Sequence, residues 1–493
     1  MRHSAVSRRN LLKSAGGLIL ASALPFRHSM AAEAISPVMA RLSAYMSEAR
    51  NRALPEPVLE KTKHHVLDTI AAMVSGAELP PGRAAIAFAR GYGGKAVATV
   101  AASSIVCGPI EAALANGVLA HADETDDSHG PSRSHPGCAT VPAALALGEQ
   151  FGASGMHFLR AVALGYDVGT RVTMSMGGPS YQTLTHRSTH GTAQIFSAAA
   201  AAGCVASLGE RQMRYLLDYT AQQSSGIGAW GRDTDHMEKA FVFGGKSAAG
   251  GVTAALLVSE GWTGVDDIFS GADNFFEAFA PREDGVMKAD PAAVADALGE
   301  RYEIMRTNIK KWAVGSPIQA PLDALELFFK RRSFSADEVQ KVVVRMASDE
   351  ARTVNNREIP DICLQHMVAV MLLDKTASFA AAHDNARMKD PAVLRQRAKV
   401  ELLADPRIDA VRPRREGIVE LTLADGTQMS EWIKDVRGTA ENPMPRAEVA
   451  AKARDLMAPR LGKAKSAKLI DTVLALETVK NVRQLRPLLQ RAG

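Results

Sequence analysis

Alanine in helical spacing is the feature that most constrains this chain. From residue 36 to about residue 304, Ala- and Leu-rich segments follow one another, and residues 198–202 are five consecutive alanines. Side chains this small let helices approach closely all round, so such segments belong in the interior of a multi-helical body. Ser36-Pro37, ahead of Val38, Leu42 and Met46, reads as an N-cap followed by the first helical residue. Gly-Ala-Ser-Gly at 152–155, Gly209 and Gly261 punctuate the helices. No repeat of fixed period runs through them.

The texture changes after Lys311. Residues 339–346 (V-Q-K-V-V-V-R-M) and the segments 417–423 and 427–433 are rich in β-branched side chains with partial alternation. Asp425-Gly426 between the last two is a two-residue hairpin signal. Residues 362–382 read as one helix, and after Pro443 the pattern is helical to the end. The expectation is a mainly α chain: a helical domain over 36–304, completed by 436–493, with a smaller α+β domain inserted at 305–435. A length of 493 residues fits two or three domains of ordinary size.

Residues 7–13 (S-R-R-N-L-L-K), the apolar run 14–25 and the small-x-small site Ser29-Met30-Ala31 form the pattern of a twin-arginine export leader over residues 1–31, with Arg8 and Arg9 as the pair. That run is too short to span a bilayer, so the expected mature protein is periplasmic with no membrane segment. The leader holds five basic residues and no acidic one. The formal charge of +5 therefore belongs to it, and 53 basic residues face 53 acidic ones in the remainder. A neutral chain without a basic run argues against nucleic acid as a partner. Cys107, Cys138, Cys204 and Cys363 are too widely spaced for a metal or iron–sulfur motif, and read as small buried hydrophobes, with one disulfide open if the protein is exported.

The densest polar cluster is N-G-V-L-A-H-A-D-E-T-D-D-S-H-G-P-S-R-S-H-P-G at 116–137, with three histidines and four carboxylates between His121 and Gly137. Imidazoles and carboxylates held together suit general acid–base chemistry. A metal site is the natural competitor, yet the segment has no H-E-x-x-H, no calcium-loop pattern and no His pair at helical spacing. A solvated acidic loop is the plain alternative. His190, in S-T-H-G-T, opens an Ala-rich helix whose positive end favours an anion. Lys239 precedes an apolar stretch and a Gly pair, a place where a lysine meets a bound carboxylate. The G-G-K-S string at 244–247 is not a phosphate loop, because Ala240 stands where the first glycine is required.

N-G-x-x-x-H-x-x-x-x-D-D-S-H, with H-P-G eight residues after the second aspartate, resembles the signature of the MmgE/PrpD family. So do V-L-D-T-I-A at 66–71, A-L-G-Y-D-V at 163–168, H-G-T-A at 190–193, the Lys239 region, G-W-T-G at 261–264, K-K-W-A-V-G-S-P at 310–317 and E-N-P-M-P at 441–445. The resemblance implies a multi-helical domain with an α+β lid, a site between them that needs no cofactor or metal, and a homodimer. The family includes 2-methylcitrate dehydratase, cis-aconitate decarboxylase and iminodisuccinate epimerase. By that resemblance His135, His190, Asp126 and Asp127 are the catalytic candidates, and Glu124, Ser128 and Lys239 meet the substrate. Two departures bear on specificity: Gln319 stands where a lid histidine is expected, and His366 where some members carry tyrosine.

The resulting expectation is a lyase or isomerase acting beside a carboxylate of a small di- or tricarboxylic acid, with a 2-methylcitrate dehydratase-like activity leading. A weakly acidic α-proton needs a positioned base and a partner for the developing enolate-like charge. The alternatives are a dicarboxylate epimerase, a metal-dependent hydrolase, and a periplasmic protein that binds a carboxylate without turning it over.

Overall fold

The computed structural model describes residues 35–411 and 415–491. The expected leader, with Arg8 and Arg9, lies outside the described residues. Helices dominate what is described, as a mainly α chain requires. The first, Pro37–Glu48, starts as its sequence predicts: the Ser36 hydroxyl accepts the Met39 amide at 3.2 Å, with proline in the first turn.

At the centre of the helical body is Thr189–Val205, buried along its whole length. Helices Gly137–Phe151, Gly155–Ser175, Glu210–Gln223 and Lys246–Ser259 pack around this core. Its alanines leave room for close backbone approach on every side, so the helix needs no polar face. Met237–Ser259 is continuous and, among the described residues, the one helix long and apolar enough to cross a membrane by length and composition. It is mostly buried among its neighbours, as a core helix of a folded body would be.

All four strands of the largest sheet fall between residues 339 and 433. Their order is Val400–Ala404, Val339–Met346, Gly417–Leu423, Gln428–Ile433; the first pair is parallel and the others antiparallel. Strand Gly417–Leu423 alternates buried and half-buried residues, and its inward Val419 and Leu421 share a core with Val342, Val344, Phe328 and Met367. Helices Gln319–Arg331 and Leu364–Asp374 supply the covering apolar face. The hairpin turns through Asp425-Gly426, but over three residues rather than two. Leu423 N–H donates to the Thr427 carbonyl at 2.9 Å, and Gly426 takes φ +84°, which a side chain disfavours.

Two expectations change. Residues 362–382 are not one helix: Leu364–Asp374 ends at Lys375, in the left-handed region at φ 60°, and a short helix restarts at Phe379–Ala382 under the Ser378 cap. Strand Val400–Ala404 had no counterpart in the sequence reading. The tail helix Arg446–Leu461 packs on Glu56–Gly76 of the helical body, with Lys452 Nζ 2.6 Å from the Asp68 carboxylate. All four cysteines are buried free thiols.

Candidate active site

Helix Pro109–Ala120 delivers the polar cluster. Its Asn116 side chain is consumed locally, donating to the Thr99 carbonyl at 2.8 Å and accepting from the Ala101 amide at 2.9 Å. Gly117 has a different task. A Cβ there would stand 2.5 Å from the Gly244 carbonyl oxygen, and one on Gly244 would meet the Gly117 carbonyl more closely still. The N-G pair thus lets the Lys239-bearing segment lie directly against this helix. That segment passes through a π-turn at Phe241–Gly245, a local rewinding that projects Phe243 beside His121.

Beyond His121 the chain runs irregularly to Pro136, yet it is no solvated loop. His121, Asp123, Glu124, Asp126, Asp127, His129 and His135 are all buried. Buried backbone and carboxylates need partners, and distant parts of the chain supply them. Lys310 Nζ donates to the Glu124 carbonyl at 2.6 Å, Lys452 Nζ donates to the Thr125 carbonyl at 2.9 Å, and Ser128 exchanges backbone hydrogen bonds with Asn308. His383 Nε2 stands 2.9 Å from Asp123. Asp127 accepts from His65 Nδ1 at 2.9 Å, from the Tyr166 hydroxyl and from the Gly137 amide at 3.1 Å. Burial pushes His65 down to about 4, so it is the neutral imidazole that donates there.

Asp126 links two imidazoles, one carboxylate oxygen 2.9 Å from His121 Nδ1 and the other 3.1 Å from His135 Nδ1. Burial alone would raise this carboxyl, but the two imidazoles outweigh it and hold Asp126 well below the usual carboxylate range. With Nδ1–H donating to Asp126, the Nε2 atom of His135 is left for a ligand. Phe243 stacks on His190 at 3.8 Å and on His121 at 4.5 Å, and Trp230 meets His190 edge-on at 5.3 Å. Burial, opposed by Asp126, keeps His121 below the ordinary histidine range, and burial reinforced by His135, Arg133 and Lys239 keeps His190 well below it. The His135 and His190 ring centres are 5.4 Å apart.

Lys239 pairs with Glu124 and lies over the Trp230 ring at 5.7 Å. Burial would raise Glu124, but Lys239 and Lys310 hold it well below its ordinary value. These groups face a cavity of about 230 Å³, whose opposite wall is formed by Gly315, Ser316, Thr353, Ile362 and Arg415 from the sheet-bearing part.

Of the residues singled out from sequence, His135, His190, Glu124 and Lys239 line this cavity, and Asp126 sits directly behind His135. Asp127 is a buried anchor between helices. Ser128 is half-buried, lies outside the cavity and contributes through its backbone. Gln319 and His366 are also outside it. The Gln319 amide turns back on its own chain, accepting from Trp312 N–H and donating to the Trp312 and Val314 carbonyls, because a buried amide must satisfy its hydrogen bonds and this turn offers them. His366 is buried in its helix with neither ring nitrogen hydrogen-bonded, and burial pushes it down to about 4, so it stays neutral.

The sequence reading did not assign His121, Phe243, Trp230, Lys310, Lys452 or His383. His121 had a signal, as the histidine of N-G-x-x-x-H, and Lys310 lay within a quoted motif; Lys452 and His383 had none. As for metal, His121, Asp126 and Cys138 each place a possible ligand atom within 4.8 Å of the others. An ion there would have to displace the His121–Asp126 hydrogen bond and ionise a thiol that burial and the carboxylates of Asp126 and Asp127 push well up.

A model of the MmgE/PrpD N-terminal domain matches residues 40–286, and one of the MmgE/PrpD C-terminal domain matches residues 312–478. A cis-aconitate decarboxylase-like protein, oryM, of Aspergillus oryzae is 27% identical over 302 residues, covering 59% of this chain and 61% of the relative, under two thirds of its length. A cis-aconitate decarboxylase of Aspergillus terreus is 23% identical over 491 residues, covering 94% of this chain and 98% of the relative.

Proposed function

The chain belongs to the MmgE/PrpD family, and from that premise we propose that it is a lyase breaking a bond beside a carboxylate of a small tricarboxylic acid. The observation that carries this is the arrangement of His135, oriented by Asp126, facing His190 beside the Lys239–Glu124 pair. A substrate carboxylate takes Lys239 in exchange for Glu124. His135 then transfers a proton through Nε2 at the neighbouring carbon, while the carboxylate on lysine absorbs the enolate-like charge. Asp126, bonded to Nδ1, fixes the tautomer and orientation of the His135 ring.

Decarboxylation of a cis-aconitate-like acid is the first reading, supported by the names of the relatives. The bond to one carboxylate carbon breaks, carbon dioxide leaves, and the electron pair left in the allylic system is protonated by His135. Dehydration of a 2-methylcitrate-like hydroxy acid is the second, and the paired imidazoles favour it: one takes the α-proton while the other protonates the departing hydroxide. The experiment is proton NMR of cis-aconitate and of 2-methylcitrate with the purified chain. Turnover of either, lost in His135→Ala and Lys239→Ala variants that keep the wild-type circular dichroism, supports the reading. No change in either acid, or full turnover by His135→Ala, overturns it.

A further inference from the structure

The histidine cavity adjoins a second one of about 440 Å³, and the two share Glu124, Arg133, Trp230, Lys239, Asp349, Thr353 and Ile362. The inner cavity alone is small by the standard of ligand sites, which run to roughly 300–1,000 Å³. What distinguishes the outer one is a pair of arginines that the inner one lacks. Its far wall carries Arg352, on the short helix Ser348–Val354, and Arg357 just beyond it. Arg352 is exposed and Arg357 half-buried. Among the described residues neither has a carboxylate within ion-pair distance; Arg357 makes one long contact to the Thr353 carbonyl at 3.4 Å.

Four acidic residues line the same chamber, Glu124, Asp233, Asp349 and Asp361. Glu124 is held by Lys239 and Lys310, Asp233 accepts the Lys239 amide at 2.8 Å, and Asp361 lies 4.0 Å from His383. Two planar guanidinium forks, neither engaged by a carboxylate among the described residues, thus face the chamber. We propose that Arg352 and Arg357 form an outer subsite that receives a third carboxylate of the substrate, and so select tricarboxylates over dicarboxylates. This rests on the lyase reading for the inner cavity and adds a binding role that the inner residues do not supply. The arm held there is remote from the reacting bond, so it contributes to binding rather than to the chemical step.

The test is isothermal titration of wild type and of the Arg352→Gln/Arg357→Gln double variant with propane-1,2,3-tricarboxylate and with succinate, which lacks one carboxylate arm. Wild type should bind the tricarboxylate more tightly, and the double variant should lose about tenfold in affinity for it with succinate affinity unchanged. An Arg352→Lys/Arg357→Lys variant should recover part of the loss. A preference for the tricarboxylate that persists in the glutamine variant overturns the subsite alone, leaving the lyase reading intact. If wild type binds neither acid, both fall.

Discussion

Replacing His383 with glutamine tests how the polar loop is held. Nδ1 of His383 is 2.8 Å from the Phe379 carbonyl and Nε2 is 2.9 Å from the Asp123 carboxylate. Both ring nitrogens face acceptors, so the ring must carry both protons. Burial pushes His383 down, but Asp123 outweighs it and lifts the ring from 6.5 to about 9. At ~1.36 kcal/mol per pH unit that rise is worth about 3 kcal/mol. Because the folded value is the higher one, this stability is fully present below pH 6.5 and is lost as pH rises through about 9. His383→Gln removes the charge and leaves Asp123 buried without its cation. Urea unfolding at pH 6 should show the variant about 3 kcal/mol less stable, and the difference should shrink to about 1 kcal/mol or less at pH 10. Turnover measured alongside should fall, since Asp123 precedes Glu124. An equal difference at both pH values, or one under about 0.5 kcal/mol at pH 6, would refute the imidazolium assignment.

Asp126→Asn preserves shape but can no longer accept from both imidazoles, so kcat on the identified substrate should fall about 10²- to 10⁴-fold with little change in KM; an unchanged kcat contradicts the role. Lys452→Met strands the Asp68 carboxylate and frees the Thr125 carbonyl, which should cost about 3–5 kcal/mol in urea unfolding. Adding Asp68→Asn should restore much of that stability without restoring turnover, and recovery of both would mean that Lys452 acts only on stability. Gly244→Ala forces a Cβ into the Gly117 backbone, so KM should rise as the Lys239 segment shifts. Its effect should be non-additive with Gly117→Ala, and simple additivity would show that the two glycines do not meet.

How much of this could be read from the chain depended on whether the signal was local. Strands Val339–Met346 and Gly417–Leu423 carry their β-branched alternation in their own residues, and both were legible to the residue. Val400–Ala404 was not, because its V-E-L-L-A lies at the sheet edge and its parallel partner is some sixty residues away, with no local turn to betray the pairing. The helix expected over 362–382 failed at Lys375 for a related reason. The apolar spacing continues through Ala377 and Phe379, and the left-handed residue that breaks it is a lysine rather than a glycine.

The same division runs through the candidate site. The residue types at 121–135 announced acid–base chemistry, but a run so rich in carboxylates reads equally well as a solvated loop. What buries it is contributed from His65, Tyr166, Lys310, His383 and Lys452, and no spacing rule connects those positions to 121–135. Gln319 and His366 drew attention as departures from a pattern. A departure marks a residue as different without saying which way its side chain faces, and hydrogen-bond satisfaction turned Gln319 inward. The charge pairing inside the cavity has a consequence that only the geometry reveals. With Lys239 and Lys310 both committed to Glu124, an incoming anion must displace a buried ion pair to reach the inner cavity. Specificity then depends on how well a substrate carboxylate replaces Glu124 on Lys239, because a neutral ligand would leave that lysine and its carboxylate locked together.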